Sequence, residues 1–203
     1  DCSQSRGLGD VYKRQAAKIG IIFHTSYSGK TMKGLKASFG ASVSGLKRNK
    51  NVFFDDARYK QAEDPGFSKG EEKRFDAIIR MAEGSAYKAG AFIDKIKKDQ
   101  GPLSLGVQLK TFFNTYIRSG TKIGNAKALA NNFEVFFRDR LKKEIDGKKQ
   151  ENTKQKYREI LEAGMKILRP NRQGLYFAIA TYITLQTAKS LLLGKLNQVQ
   201  SIG

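Results

Sequence analysis

Apolar residues recur every three or four positions through most of residues 67–203, which is the spacing of one buried face of an α-helix. Glycine and proline breaks divide this region into about five to six helices. The predicted segments are 68–82, 86–97, 105–117, 129–145, 157–168 and 175–200, with 86–97 either a separate helix or a kinked extension of the first. The last segment is the longest and most apolar, which predicts the central helix of a bundle.

Two local signals predict where helices begin and end. Ser68 and Glu71 have the spacing of a capping box, in which each side chain bonds the backbone N–H of the other residue. The stretch 142–156 is strongly charged, and its Asp146-Gly147-Lys148-Lys149 is predicted to be an exposed loop between helices. The helical region therefore has at least one recognisable start and one recognisable turn.

The preceding segment, 16–66, has a different character. Lys18–Thr25 and Asn51–Tyr59 contain runs of β-branched and aromatic residues and are predicted to be strands. Ser26–Gly45 is rich in glycine and serine, which indicates a long loop with about one helical turn. The predicted fold is mainly α: a helical bundle at 67–203, preceded by a small β-containing segment at 16–66, as a fragment of a larger α+β protein.

Residues 1–15 are interpreted separately. The string Ser-Arg-Gly-Leu-Gly-Asp-Val-Tyr-Lys-Arg-Gln at 5–15 resembles one reading frame of a transposon-end adapter used in sequencing libraries. We therefore expect 1–15 to be non-native and the native sequence to start near Ala16. On this interpretation the chain is an internal gene fragment from environmental DNA.

The net charge of the chain indicates a class of binding partner. The chain has a formal net charge of +19, of which +18 lies in residues 16–203. Such an excess favours a polyanion, either nucleic acid or nucleotide phosphates, and a merely solvated lysine-rich surface is the alternative. Cys2 and His24 are the single cysteine and histidine, so 16–203 offers neither a disulfide nor a zinc site of nitrogen and sulfur ligands. No apolar run is long enough for a membrane span, so no membrane partner is expected.

The candidate phosphate-binding residues lie in 24–50, where basic side chains alternate with glycine, serine and aromatic residues. They are His24, Thr25, Lys30, Lys33, Lys36, Lys47, Arg48 and Lys50. A solvated loop is the alternative for this stretch. Ser28-Gly29-Lys30-Thr31 resembles the end of a Walker A loop, but His24 occupies the position that requires the first glycine.

Two further sets of residues are interpreted as structural. Phe112-Phe113 and Phe136-Phe137 fit core stripes of helices better than base-stacking platforms. Asp55-Asp56 could hold a metal at the end of the second strand, but turn formation or pairing with nearby lysines is favoured. No metal site is predicted in this chain.

A resemblance extends the functional prediction. Lys18–Thr25, Lys36–Gly40, Ile123–Asn125 and Lys195–Asn197 resemble segments of an uncharacterised protein family of myovirus-type tailed phages. The resemblance implies a Lys-x-Asp-Gly motif before this region, similar to the nucleotidyl-lysine motif of ligases, with the helices as an insertion. It also implies ATP and magnesium as cofactors of the parent.

This chain contains no Lys-x-Asp-Gly, because Glu144 stands two residues before the nearest Asp-Gly pair. We therefore expect no catalytic residues and no cofactor in the fragment. The leading hypothesis is a fragment of a phage ligase-like nucleotidyltransferase of unknown substrate, in the host cytoplasm, whose basic helices contact nucleic acid. The alternatives are a non-enzymatic nucleic-acid-binding module and a phage structural or assembly protein.

Overall fold

The protein is a bundle of α-helices in a computed structural model, which describes residues 43–48, 50, 68–96, 103–117 and 120–202, with the backbone alone for 195–202. The described residues form five full helices: α1 (Lys69–Ile96), α2 (Leu105–Tyr116), α3 (Ala126–Asp146), α4 (Glu151–Leu168) and α5 (Arg172–Ile202). Short 3-10 turns at Ile123–Asn125 and Arg169–Asn171 precede α3 and α5. The predicted helical bundle is confirmed.

The described part of 16–66 consists of residues 43–48 and 50, and these are helical. The described residues contain no strand. Both predicted strands, at 18–25 and 51–59, lie outside the residues that the structure describes.

The start of α1 confirms the predicted capping box. Glu71 accepts a hydrogen bond from the Ser68 backbone N–H at 2.9 Å, and the Ser68 hydroxyl accepts one from the Glu71 N–H at 3.3 Å. These bonds satisfy two of the N–H groups that a helix start leaves without a partner. The helix then runs through Ile96, so that 86–97 belongs to the same helix as 68–82 rather than to a separate one.

The core is built around α5, as the sequence predicts. Residues 178–185 of α5 are buried all round, and α1 is its main packing partner. This burial includes Thr181 and Thr184, whose hydroxyls donate hydrogen bonds to carbonyls of their own helix at 2.8–3.1 Å. Because these hydroxyls are satisfied locally, two polar residues can lie in the core without the penalty of an unpaired group.

Glycines permit the closest approaches between helices. A Cβ atom added to Gly174 of α5 would lie 2.5 Å from the Cβ of Phe92 in α1. A Cβ added to Gly164 of α4 would lie 2.4 Å from the ring of Phe137 in α3. Both phenylalanines are almost completely buried. The close α1–α5 and α3–α4 contacts are therefore possible because Gly174 and Gly164 have no side chain.

The helices α3 and α4 form a hairpin with a short connection. The chain turns at 147–150, where the Gly147 N–H donates to the Lys143 carbonyl at 3.1 Å and the Lys148 N–H donates to the Ile145 carbonyl at 3.2 Å. A connection this short makes the two helices antiparallel neighbours. The predicted loop at 146–149 is confirmed for 147–149, whereas Asp146 is the last residue of α3; the turn brings the end of α3 beside the start of α4.

Candidate nucleic-acid interface

The structure places three of the eight predicted phosphate-binding residues. Lys47, Arg48 and Lys50 lie in the short helical segment that packs near α1, and Arg48 is exposed. The other five, at 24, 25, 30, 33 and 36, lie outside the described residues. The phosphate-binding role of all eight stays a prediction.

Both lysines of this segment form ion pairs with carboxylates of α1. Lys47 pairs with Glu83, and the Lys50 Nζ lies 2.7 Å from an oxygen of Asp76 and 3.1 Å from one of Glu72. Burial by itself would lower the pKa of Lys50, but the hydrogen bonds to Asp76 and Glu72 outweigh it and raise the pKa above its ordinary value. Lys50 therefore stays charged and helps to hold the segment on α1.

A second basic surface lies at the turn of the α3–α4 hairpin. We call residues 140–158 the basic hairpin end; they contain eight lysines and arginines against three acidic residues, a net charge of +5. By contrast, α1 is nearly balanced, with six basic and five acidic residues. The strongly charged stretch 142–156 of the sequence therefore lies at the turn of one hairpin, where its basic residues outnumber its acidic ones.

Acidic partners neutralise only part of the basic hairpin end. Glu151 accepts from Arg158 at 2.6 Å and lies 3.8 Å from Lys154, and Glu144 lies 3.5 Å from Lys148. The hydrogen bond and charge of Arg158, helped by Lys154, lower the pKa of Glu151. The exposed basic residues that form no ion pair with any described residue are Arg140, Lys142, Lys143, Lys149 and Lys156.

A groove between α2 and α3 adjoins this surface. Its volume is about 550 Å³, and we call it the α2–α3 groove. The residues that line it are Phe112, Tyr116, Leu129, Asn132, Val135, Phe136, Asp139, Arg140 and Lys143. Arg140 and Lys143 thus belong both to the groove and to the basic hairpin end. They follow Phe136 by about one and two helical turns, which places all three on one face of α3.

A cluster of aromatic rings in tilted and edge-to-face contact supports one wall of the groove. The ring of Tyr116 lies 5.0 Å from that of Phe112 and 5.6 Å from that of Phe136, and Phe112 lies 5.3 Å from Phe133. Phe112 and Phe133 are buried, Phe136 is half-buried, and Tyr116 is 53 % exposed. The cluster therefore runs from the core to the surface and holds Tyr116 on a rigid base.

Part of this arrangement is predicted by the spacing of aromatic residues in the sequence. Phe112, Phe113 and Phe137 are buried, which confirms their assignment to the core. Phe136 is different, because it lines the groove while remaining packed against the core. Tyr116 lies within the predicted helical segment 105–117, where its spacing from Phe112 and Phe113 places it on the apolar stripe. Its neighbour Ile117 is buried, so the exposure of Tyr116 follows from packing between helices and has no signal in the sequence.

Among the residues that the structure describes, no group of three or more His, Cys, Asp or Glu side chains could hold a metal ion. The described helices include none that combines the length and the apolar character needed to cross a bilayer. Asp55-Asp56, the alternative metal ligands, lie outside the described residues.

Over the described residues, the fold and the charge thus define a helical bundle with an aromatic groove beside the basic hairpin end. The chain belongs to a family of unknown function, DUF6267, which it matches over residues 4–203. This range includes 5–15, and the adapter origin of that stretch stays a prediction. No curated protein matches the chain. No solved structure matches it either.

Proposed function

We propose that this protein binds nucleic acid through the basic hairpin end. The observation that carries the proposal is the group of five exposed basic side chains at one end of one hairpin, none of which pairs with a described carboxylate. A nucleic acid supplies a regular series of phosphates, and each phosphate that a lysine or arginine neutralises releases condensed counterions.

The proposal is tested by the salt dependence of binding. Binding of a labelled single-stranded or duplex oligodeoxynucleotide is measured by fluorescence anisotropy over a range of sodium chloride concentrations. If about five phosphates are neutralised, the logarithm of the single-strand affinity should fall with the logarithm of the salt concentration with a slope of about −3.5. Salt-insensitive binding, or equal binding to polyglutamate, would contradict a nucleic-acid site.

A charge-matched pair of variants tests the location. The triple change Lys142→Gln, Lys149→Gln and Lys156→Gln should weaken binding and make the slope shallower by about 2 for a single strand. The control changes Lys69→Gln, Lys73→Gln and Arg74→Gln, which remove the same charge from exposed positions of α1. Equal losses in both variants would show that net charge acts without a defined surface.

A further proposal concerns a longer parent of this chain. Supported by the resemblance of 18–25 and 36–40 to a tailed-phage family, we propose that the parent is a ligase-like nucleotidyltransferase acting in the host cytoplasm with ATP and magnesium. In the complete parent a lysine amine should attack the α-phosphorus of α-labelled ATP, retain labelled AMP and release pyrophosphate, whereas this chain should stay unlabelled. An unlabelled parent would leave the nucleic-acid proposal standing and remove the enzymatic one. A defined oligomer that binds neither nucleotide nor nucleic acid would instead support an assembly role.

A further inference from the structure

The α2–α3 groove combines two kinds of surface that a single nucleotide needs. One wall presents the half-exposed ring of Tyr116, which Phe112 and Phe136 hold in place. The rim carries Arg140 and Lys143, which form no ion pair with described residues. An aromatic face beside cationic groups is the arrangement by which proteins bind unpaired bases and the backbone that connects them.

We propose that the α2–α3 groove binds an unpaired base of single-stranded nucleic acid, stacked on Tyr116, with the adjoining phosphate held by Arg140 and Lys143. This inference rests on the proposed function and specifies its substrate. A base inside a duplex has both faces covered by its neighbours, so only a single strand, a loop or an end can offer one to Tyr116.

The shape and support of the groove agree with this occupant. A volume of about 550 Å³ lies within the range of roughly 300–1,000 Å³ for small-ligand clefts. Stacking requires a ring that does not yield, and Tyr116 is packed against Phe112, which is 2 % exposed. The groove therefore offers a preformed surface, which reduces the ordering cost of binding.

The charged residues that line the groove favour an anionic ligand. Asp139 also lines it, so the charged lining groups of Arg140, Lys143 and Asp139 sum to +1. Asp139 forms no ion pair with any described residue and repels a nearby phosphate. Replacing it by the isosteric asparagine should therefore tighten binding of a single strand. The affinity for a purely apolar peptide would not change with this substitution. The affinity for an anionic protein segment would not depend on the presence of a nucleic-acid base.

The experiment compares two probes that differ only in their bases: a labelled oligothymidylate and an abasic oligodeoxynucleotide of the same length. Tyr116→Ala should weaken oligothymidylate binding roughly tenfold and leave the abasic probe unchanged, because stacking is lost while phosphate contacts remain. Tyr116→Phe should retain the affinity. Tyr87→Ala, which removes a tyrosine that is 90 % exposed on α1, is the matched control and should have no effect.

A second variant gives a direct signal from the proposed stacking position. The chain contains no tryptophan, so Tyr116→Trp introduces a single tryptophan into the groove, whose fluorescence can be excited separately from that of the tyrosines. Oligothymidylate should quench its fluorescence and the abasic probe should not, while Tyr87→Trp should respond to neither. Quenching by both probes at Tyr116→Trp, or equal effects of Tyr116→Ala on both affinities, would overturn the stacking site.

The failures of the two proposals are distinguishable. If both probes bind and the hairpin triple variant abolishes that binding, but Tyr116→Ala changes neither affinity, the stacking site is wrong and the proposed function stands. If neither probe binds at low salt, both proposals fail.

Discussion

Replacement of Gly174 by alanine should destabilise the bundle, although the same change usually stabilises a helix. Gly174 lies in the first turn of α5 against Phe92 of α1. An added Cβ would lie 2.5 Å from the Phe92 Cβ and 3.1 Å from its Cγ. The Cβ of Phe92 is fixed by its backbone, so rotation of the ring cannot relieve the contact. The two helices must move apart by about 1 Å to reach ordinary van der Waals separation.

The change in the free energy of unfolding caused by Gly174→Ala is the difference between two opposing effects. Alanine gains about 0.5–1 kcal/mol over glycine within a helix, and less near a helix end. Overpacking a well-packed core costs about 1–3 kcal/mol, and the upper part of that range applies where the backbone must move. We therefore expect the free energy of unfolding to fall by about 1–2 kcal/mol.

Urea denaturation followed by circular dichroism at 222 nm, the usual helix band, measures this change. The matched control is Gly84→Ala in α1, where an added Cβ meets nothing within 4 Å. That variant should be stabilised by about 0.5–1 kcal/mol, so the two substitutions should differ in sign. If Gly174→Ala were as stable as Gly84→Ala, the close α1–α5 approach, and the reasoning from it, would be refuted.

Three further predictions concern single interactions. Ser68→Ala should lower the free energy of unfolding by about 1 kcal/mol through loss of the capping box, measured by urea denaturation. Because the pKa of Lys50 is raised in the fold, its stabilising effect should be complete below the ordinary value of 10.5 and lost as pH rises through the raised pKa. The difference in urea midpoint between the chain and Lys50→Met should therefore shrink above pH 10.5. Arg158→Gln should raise the pKa of Glu151 toward its ordinary 4.5, measured by NMR titration, and an unchanged pKa would show that the pair does not persist in solution.

Local signals accounted for much of the helical fold. The apolar spacing of segments such as 105–117 and 129–145 reports burial on one side of a helix, which depends on residues only three or four positions apart. The capping box at Ser68 and the turn after Asp146 are local for the same reason, since their hydrogen bonds join residues close in the chain. The sequence does not decide whether 86–97 is separate from the first helix, because glycine weakens a helical pattern without ending it.

The surfaces described for the candidate site are formed by contacts between residues that are distant in the sequence. Lys50 pairs with Asp76 across 26 positions, and Tyr116 meets Phe136 from another helix. No periodicity specifies such pairs, because they are set by how the helices cross and how closely they approach. By itself, the sequence determined the helices, the exposed turn and the overall positive charge. The tertiary structure decided which basic residues lie beside the α2–α3 groove and which aromatic ring reaches the surface, because both follow from packing between helices rather than from spacing within one.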